Sequence, residues 1–161
     1  MNRFSHVISF GMYSHVHYHE MQVTRDLVTK APTGVNFLAS SATPYQYKPP
    51  SFDVIYLDPE TMRPVDYEIY SLDLDLANKN NEIKWSKFFD YRTDYNITDL
   101  RPTNMFDLAQ RVLTEPEVCK IYAKNRFVGG PGFNETANCD MIGNFCQMTA
   151  GEEEDKYFCQ G

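Results

Sequence analysis

Apolar and polar positions divide the chain into a strand-rich first half and a helical second half. Residues 4–10 (Phe-Ser-His-Val-Ile-Ser-Phe) are apolar and partly β-branched, which predicts a strand entering a buried sheet. Residues 20–24 continue as a strand, residues 27–33 with Pro32 and Gly34 form a turn, and residues 35–39 form a short strand. Residues 52–58 form a further strand, and residues 59–64 a turn. The clearest strand covers residues 67–76, where Tyr70, Leu72, Leu74 and Leu76 alternate with Ser71, Asp73 and Asp75. Asp73 and Asp75 resemble a calcium-ligand pair, but a solvated strand face explains them better.

In the second half Trp85, Phe88 and Phe89 sit at helical spacing, as do Met105, Leu108, Ala109 and Val112, with Thr103 as N-cap. Residues 114–117 (Thr-Glu-Pro-Glu) have the form of a capping box opening a helix that turns Val118, Ile121 and Tyr122 inward. Residues 129–132 lack the strand and lysine of a phosphate-binding loop and read as a turn; residues 152–155 read as a charged loop. The pattern is α+β or α/β, with residues 1–80 and 81–161 as two parts.

The chain has 161 residues and a net charge of −7, with no basic cluster to neutralise the phosphates of a nucleic-acid duplex. No apolar run approaches the ~20 residues that span a bilayer. A chain that opens in a strand, with its most reactive residues at its front, reads as the later part of a longer protein.

Those residues are histidines. All four (His6, His15, His17 and His19) precede residue 20, and three alternate. In an extended segment alternate side chains share a face, and two neutral imidazoles on one edge suit zinc. Strand histidines also occur as ordinary polar surface. The loop over residues 40–51, with its small residues, prolines, Tyr45 and Tyr47, is either a connector or a functional loop carried by the sheet.

Four cysteines (Cys119, Cys139, Cys146 and Cys159) lie near the C-terminus, without CxxC spacing or nearby histidine, so two disulfides are expected rather than a zinc knuckle. Sequence leaves three pairings open. The sequons at Asn96 and Asn134 agree with a secretory route.

The ordered set of segments resembles the C-terminal part of the acid sphingomyelinase family. Ser14-His15-Val16-His17 matches the family's Gly-His-x-His, and Phe37-Leu38-Ala39-Ser40-Ser41-Ala42-Thr43-Pro44-Tyr45 is similar to its Phe-Leu-Ala-Pro-Ser-Ala-Thr-Thr-Tyr. Pro50-Ser51-Phe52, Tyr70-Ser71-Leu72-Asp73-Leu74 followed by Ala77-Asn78, Trp85, Leu100-Arg101-Pro102-Thr103 and the cysteine-rich end follow in the family's order.

The resemblance implies a two-zinc phosphodiesterase of calcineurin-like fold, in which metal-activated water attacks phosphorus in line and a histidine protonates the leaving alcohol. The β-sandwich part would cover residues 4–76, with a helical, disulfide-bonded subdomain after it. The resemblance further implies His15 and His17 as metal ligands, Tyr45 in the substrate pocket and His19 as a second layer or surface residue. Cys119 would pair with Cys139, and Cys146 with Cys159. Substrates would be sphingomyelin, cleaved to ceramide and phosphocholine, or a nucleotide-type phosphodiester, in a secreted, lysosomal or endosomal setting.

Two departures stand out. Ser14 replaces glycine, and the family's Asp-x-His, Gly-Asp and Asn-His motifs are absent. One His-x-His cannot hold two zinc ions. The chain therefore reads either as the C-terminal portion of the hydrolase, inactive without its N-terminal catalytic portion, or as a non-catalytic secreted binding or structural module on the same fold.

Overall fold

A computed structural model describes residues 2–131, 133–134, 138–150 and 159. The protein is α+β, built on two three-stranded sheets. In the first, β1 (Gly11–Tyr13) runs parallel to β3 (Pro32–Leu38), which pairs antiparallel with β2 (Glu20–Arg25). The register sets Met21 opposite Phe37 and Val23 opposite Val35. Alternation turns all four into the core, fully buried. The second sheet is antiparallel: β4 (Ser51–Leu57), β5 (Pro64–Leu72) and β6 (Trp85–Asp90).

Helix α1 (Leu74–Asn80) follows β5, and α2 (Tyr91–Tyr95) follows β6 directly. Helices α3 (Pro102–Thr114), α4 (Pro116–Arg126) and α5 (Met141–Thr149) make up the later half. Met105, Leu108, Ala109 and Val112 of α3 are buried, as their spacing predicts, against the first sheet and α5. Each large apolar side chain so buried contributes about 1.5–3 kcal/mol.

Several predicted elements are corrected. Residues 4–10 are not a strand. A 3-10 turn (Asn2–Phe4) leads into a bend in which the Val7 and Ile8 amides donate to the Phe4 carbonyl, and Phe4 and Val7 are exposed. The strand expected to run to residue 76 stops at Leu72, because the Asp73 carboxylate accepts the Leu76 amide at 2.9 Å and starts a helix there.

Trp85, Phe88 and Phe89 lie on β6 rather than a helix. The β5–β6 register slips between Ile69 and Tyr70, leaving Phe88 as an extra residue, and this bulge imitates helical spacing. Arg101, not Thr103, occupies the N-cap of α3; Glu115, not Thr114, occupies that of α4, and neither side chain caps. The Thr114 hydroxyl donates to the Gln110 carbonyl instead. The loop expected at residues 152–155 lies outside the described residues.

The structure pairs Cys119 with Cys139 and Cys146 with Cys159. One core runs through both sheets and the helices, from Met21 to Met148. The division expected after residue 80 falls within the second sheet, whose third strand is β6. No helix among the described residues is long and apolar enough to cross a membrane.

Candidate functional site

The histidine segment is the loop from β1 to β2. It is not extended: His15 has φ of 98° and His17 of 61°. Alternation therefore does not decide where these rings point. Ser14 is not in the left-handed region, so serine in place of glycine costs no backbone strain there. His15 is exposed and His17 half-buried.

His17 meets the loop over residues 40–51. Its Nδ1 lies 2.9 Å from the Ser41 hydroxyl and 3.5 Å from that of Thr43. The Tyr45 ring stands edge-on to the imidazole at 5.3 Å. His17, Thr43, Pro44 and Tyr45 line an open hollow of about 510 Å³. Across Pro44 lies a largely apolar second hollow of about 530 Å³, bounded by Tyr47, Phe88 and the turn from Val128 to Pro131. The structure thus brings Tyr45 and His17 together, while among the described contacts His15 has none with either.

His19 is neither a surface group nor part of this hollow. It is 2% exposed, and its Nε2 lies 2.9 Å from the Tyr91 hydroxyl, amid the rings of Tyr67, Phe89 and Tyr91. Burial lowers its pKa to about 4, with the nearby Asp53 carboxylate pulling the other way.

Two sets of residues not apparent from the sequence hold the histidine loop. Between His17 and His19, Tyr18 carries the Lys48 ammonium 3.3 Å from its ring centroid and the Arg126 guanidinium at 4.9 Å. Arg126 also bonds Glu20 at 2.7 Å, and its carbonyl accepts the His19 amide. Burial, then the Arg126 charge, lowers the Lys48 pKa; Glu20 opposes.

The other set is polar. The Ser41 carbonyl accepts the amide and hydroxyl of Ser51, at 2.8 and 3.0 Å. The Asp53 carboxylate accepts the Ser40 amide at 2.8 Å, the Ser40 hydroxyl, and the Tyr67 hydroxyl at 2.6 Å. Burial is the main reason the Tyr67 pKa is raised far above its ordinary value, so its hydroxyl remains a donor. No sequence motif marks either set, because each joins residues far apart in the chain.

His17, bonded at Nδ1, has Nε2 as its remaining nitrogen, the arrangement of a metal-binding imidazole oriented by an outer hydrogen bond. In kind, His15 and His17 fit zinc. No group of three or more His, Cys, Asp or Glu side chains suited to a metal occurs among the described residues, and two histidines are fewer than the three protein ligands of a catalytic zinc site.

Residues 23–157 match the family model described as the acid sphingomyelin phosphodiesterase C-terminal region. The chain is 29% identical over 126 residues to sphingomyelin phosphodiesterase A of Dictyostelium discoideum, covering 78% of this chain and 22% of that protein. It is 27% identical over 156 residues to the cyclic GMP-AMP phosphodiesterase of Homo sapiens, covering 92% and 33%. With the sphingomyelin phosphodiesterase of Homo sapiens it shares 23% identity over 164 residues, covering 98% and 26%. The chain spans about a quarter to a third of the length of these curated relatives.

Proposed function

This chain belongs to the family of acid sphingomyelin phosphodiesterase C-terminal regions, and from that premise we propose that it supplies one wall of a zinc-dependent phosphodiesterase site on a calcineurin-like β-sandwich. The observation that carries the reading is the meeting of His17 and Tyr45 at one open hollow. His15 and His17 would hold zinc. The bound metal would activate water and offset charge on the phosphoryl oxygens.

The chain's own residues have simpler tasks. Ser41 holds the His17 ring through Nδ1, keeping Nε2 available. Tyr45 packs against that ring and offers its hydroxyl to a phosphodiester oxygen. The apolar hollow beyond Pro44 suits a bulky substituent of the diester, lipid or nucleotide. The remaining ligands and the general acid would come from an N-terminal catalytic portion, and the chain alone would be inactive.

The disulfides support a reading in which the protein works in an oxidising compartment, secreted, lysosomal or endosomal. Exposed Asn96 and Asn134 are the proposed glycan sites, and a mass shift on glycosidase treatment would report them.

The decisive experiment expresses this chain within a protein of its relatives' full length and measures zinc-dependent phosphodiester hydrolysis. Turnover falling at least a hundredfold in His17→Ala, with the fold intact by circular dichroism, is expected. Undiminished turnover in the double variant His15→Ala/His17→Ala overturns the reading.

A further inference from the structure

We infer that Asp53 is a positioning residue for His17, acting across sheets through the Ser40–Ser41 peptide. The starting point is a backbone that does not hold itself. A non-glycine residue at φ 61° is uncommon, and persists where its surroundings over-determine it. The His17 side chain has its hydrogen-bond anchor at Ser41, which is 7% exposed. What fixes Ser41 therefore fixes the imidazole.

Ser41 is clamped from both sides of its peptide. Behind it, the Ser51 amide and hydroxyl both donate to its carbonyl. Ahead of it, Ser40 gives its amide and its hydroxyl to the Asp53 carboxylate. Asp53 is itself fixed by the Tyr67 hydroxyl at 2.6 Å, and Tyr67 is fully buried. The Ser40 amide, the Ser40 hydroxyl and the Tyr67 hydroxyl all donate to the Asp53 side chain. A rigid path therefore runs from the buried Tyr67 ring to the His17 ring.

The end of the path also balances its protons. The Ser41 hydroxyl oxygen accepts the Thr43 amide at 3.2 Å and lies 3.0 Å from the Thr43 hydroxyl. If Ser41 gives its proton to Thr43, its second lone pair accepts Nδ1–H of His17, and Nε2 is left with a free lone pair. The Ser41 hydroxyl then donates once and accepts twice. Displacing Ser41 breaks this arrangement.

The test is nuclear magnetic resonance of the ¹⁵N-labelled chain without metal, with the His17 ring signals assigned through His17→Gln. Ser41→Ala defines the His17 signature that has lost its anchor. Asp53→Ala is expected to give that same signature, and the double variant to add nothing, because both changes act on one path. Asp53→Asn is expected to restore the wild-type signature. Its oxygen accepts the Ser40 amide and Tyr67, and the Ser40 hydroxyl turns to accept from its amide group.

His17 signals unchanged in a folded Asp53→Ala protein overturn the inference, as do additive shifts in the double variant. Should Asp53→Ala unfold, Tyr67→Phe decides: it keeps the buried ring and removes its bond to Asp53. A smaller displacement of His17 in the same direction supports the path, and no displacement overturns it. The inference rests on placing His17 in the proposed site, and the two fail separately. Hydrolysis by the full-length protein tests the site: undiminished turnover in His15→Ala/His17→Ala removes the site but leaves the Asp53 dependence of the His17 signals as measured.

Discussion

His19 is the side chain whose environment most alters its chemistry. With a native pKa of about 4 against an ordinary 6.5, it stays neutral in the fold while the unfolded chain takes up a proton between those values. The unfolded state is therefore favoured as pH falls through that window, by about 1.4 kcal/mol per pH unit once inside it. Urea unfolding measured across the window should show this loss, and His19→Phe should flatten it; an equally steep curve in the variant would assign the loss elsewhere. Tyr45 is the opposite case, 60% exposed and in ring contact with His17. Tyr45→Phe keeps that contact and removes one hydroxyl. Stability should stay within about 0.5 kcal/mol, while turnover of the full-length protein should fall about tenfold, the worth of one hydrogen bond in the transition state. Equal turnover would make the loop a connector.

Among the elements, the turn after α4 controls the tyrosine loop. A Cβ on Gly130 would meet the Tyr47 carbonyl oxygen and lie 2.9 Å from both Lys48 Cα and Pro49 Cδ. Gly130→Ala should therefore cost about 1–3 kcal/mol and shift the Tyr45 and His17 signals, whereas Ala at exposed Pro131 should do neither. The elements also show what a sequence can reveal. Helix α3 was legible because its buried residues repeat at helical spacing over several turns, and β2 and β3 because their apolar residues alternate in a half-buried sheet. The β5–α1 junction was hidden: Leu72, Leu74 and Leu76 continue the alternation, but the capping bond from Leu76 to Asp73 changes the backbone beneath it. In β6 the bulge at Phe88 broke the period of two. At the site, the residue types at His17 and Tyr45 were legible, and the resemblance implied a metal ligand and a pocket residue; their ring contact is set by the fold. The clamp by Asp53 and the stacking of Lys48 on Tyr18 were not, since each depends on packing that brings distant segments together.

At the scale of the whole molecule, the disulfides constrain the later half. Cys119 is fully buried on α4, and its bridge to Cys139 closes a separation of 20 residues, worth about 3 kcal/mol on the chain-entropy model. Replacing both by alanine should lower the urea midpoint accordingly while leaving the β2–β3 amides protected from exchange. Loss of that protection would show that the bridge holds the entire core. That core is assembled from the whole chain: Met21, Val35 and Tyr67 come from its first half, and Phe89, Tyr91, Leu108 and Met148 from its second.

The shared core makes a particular wager about cutting the chain. Residues 81–84 are exposed between α1 and β6, and neither disulfide crosses them. A protease site engineered there should yield two pieces that travel together through a sizing column and part only in denaturant. Made separately, each piece would carry half an interior and nothing to close it. A cloning boundary drawn at that loop would thus produce two sticky halves needing each other as chaperone, and their reunion would be readable as the return of the ordered His17 ring.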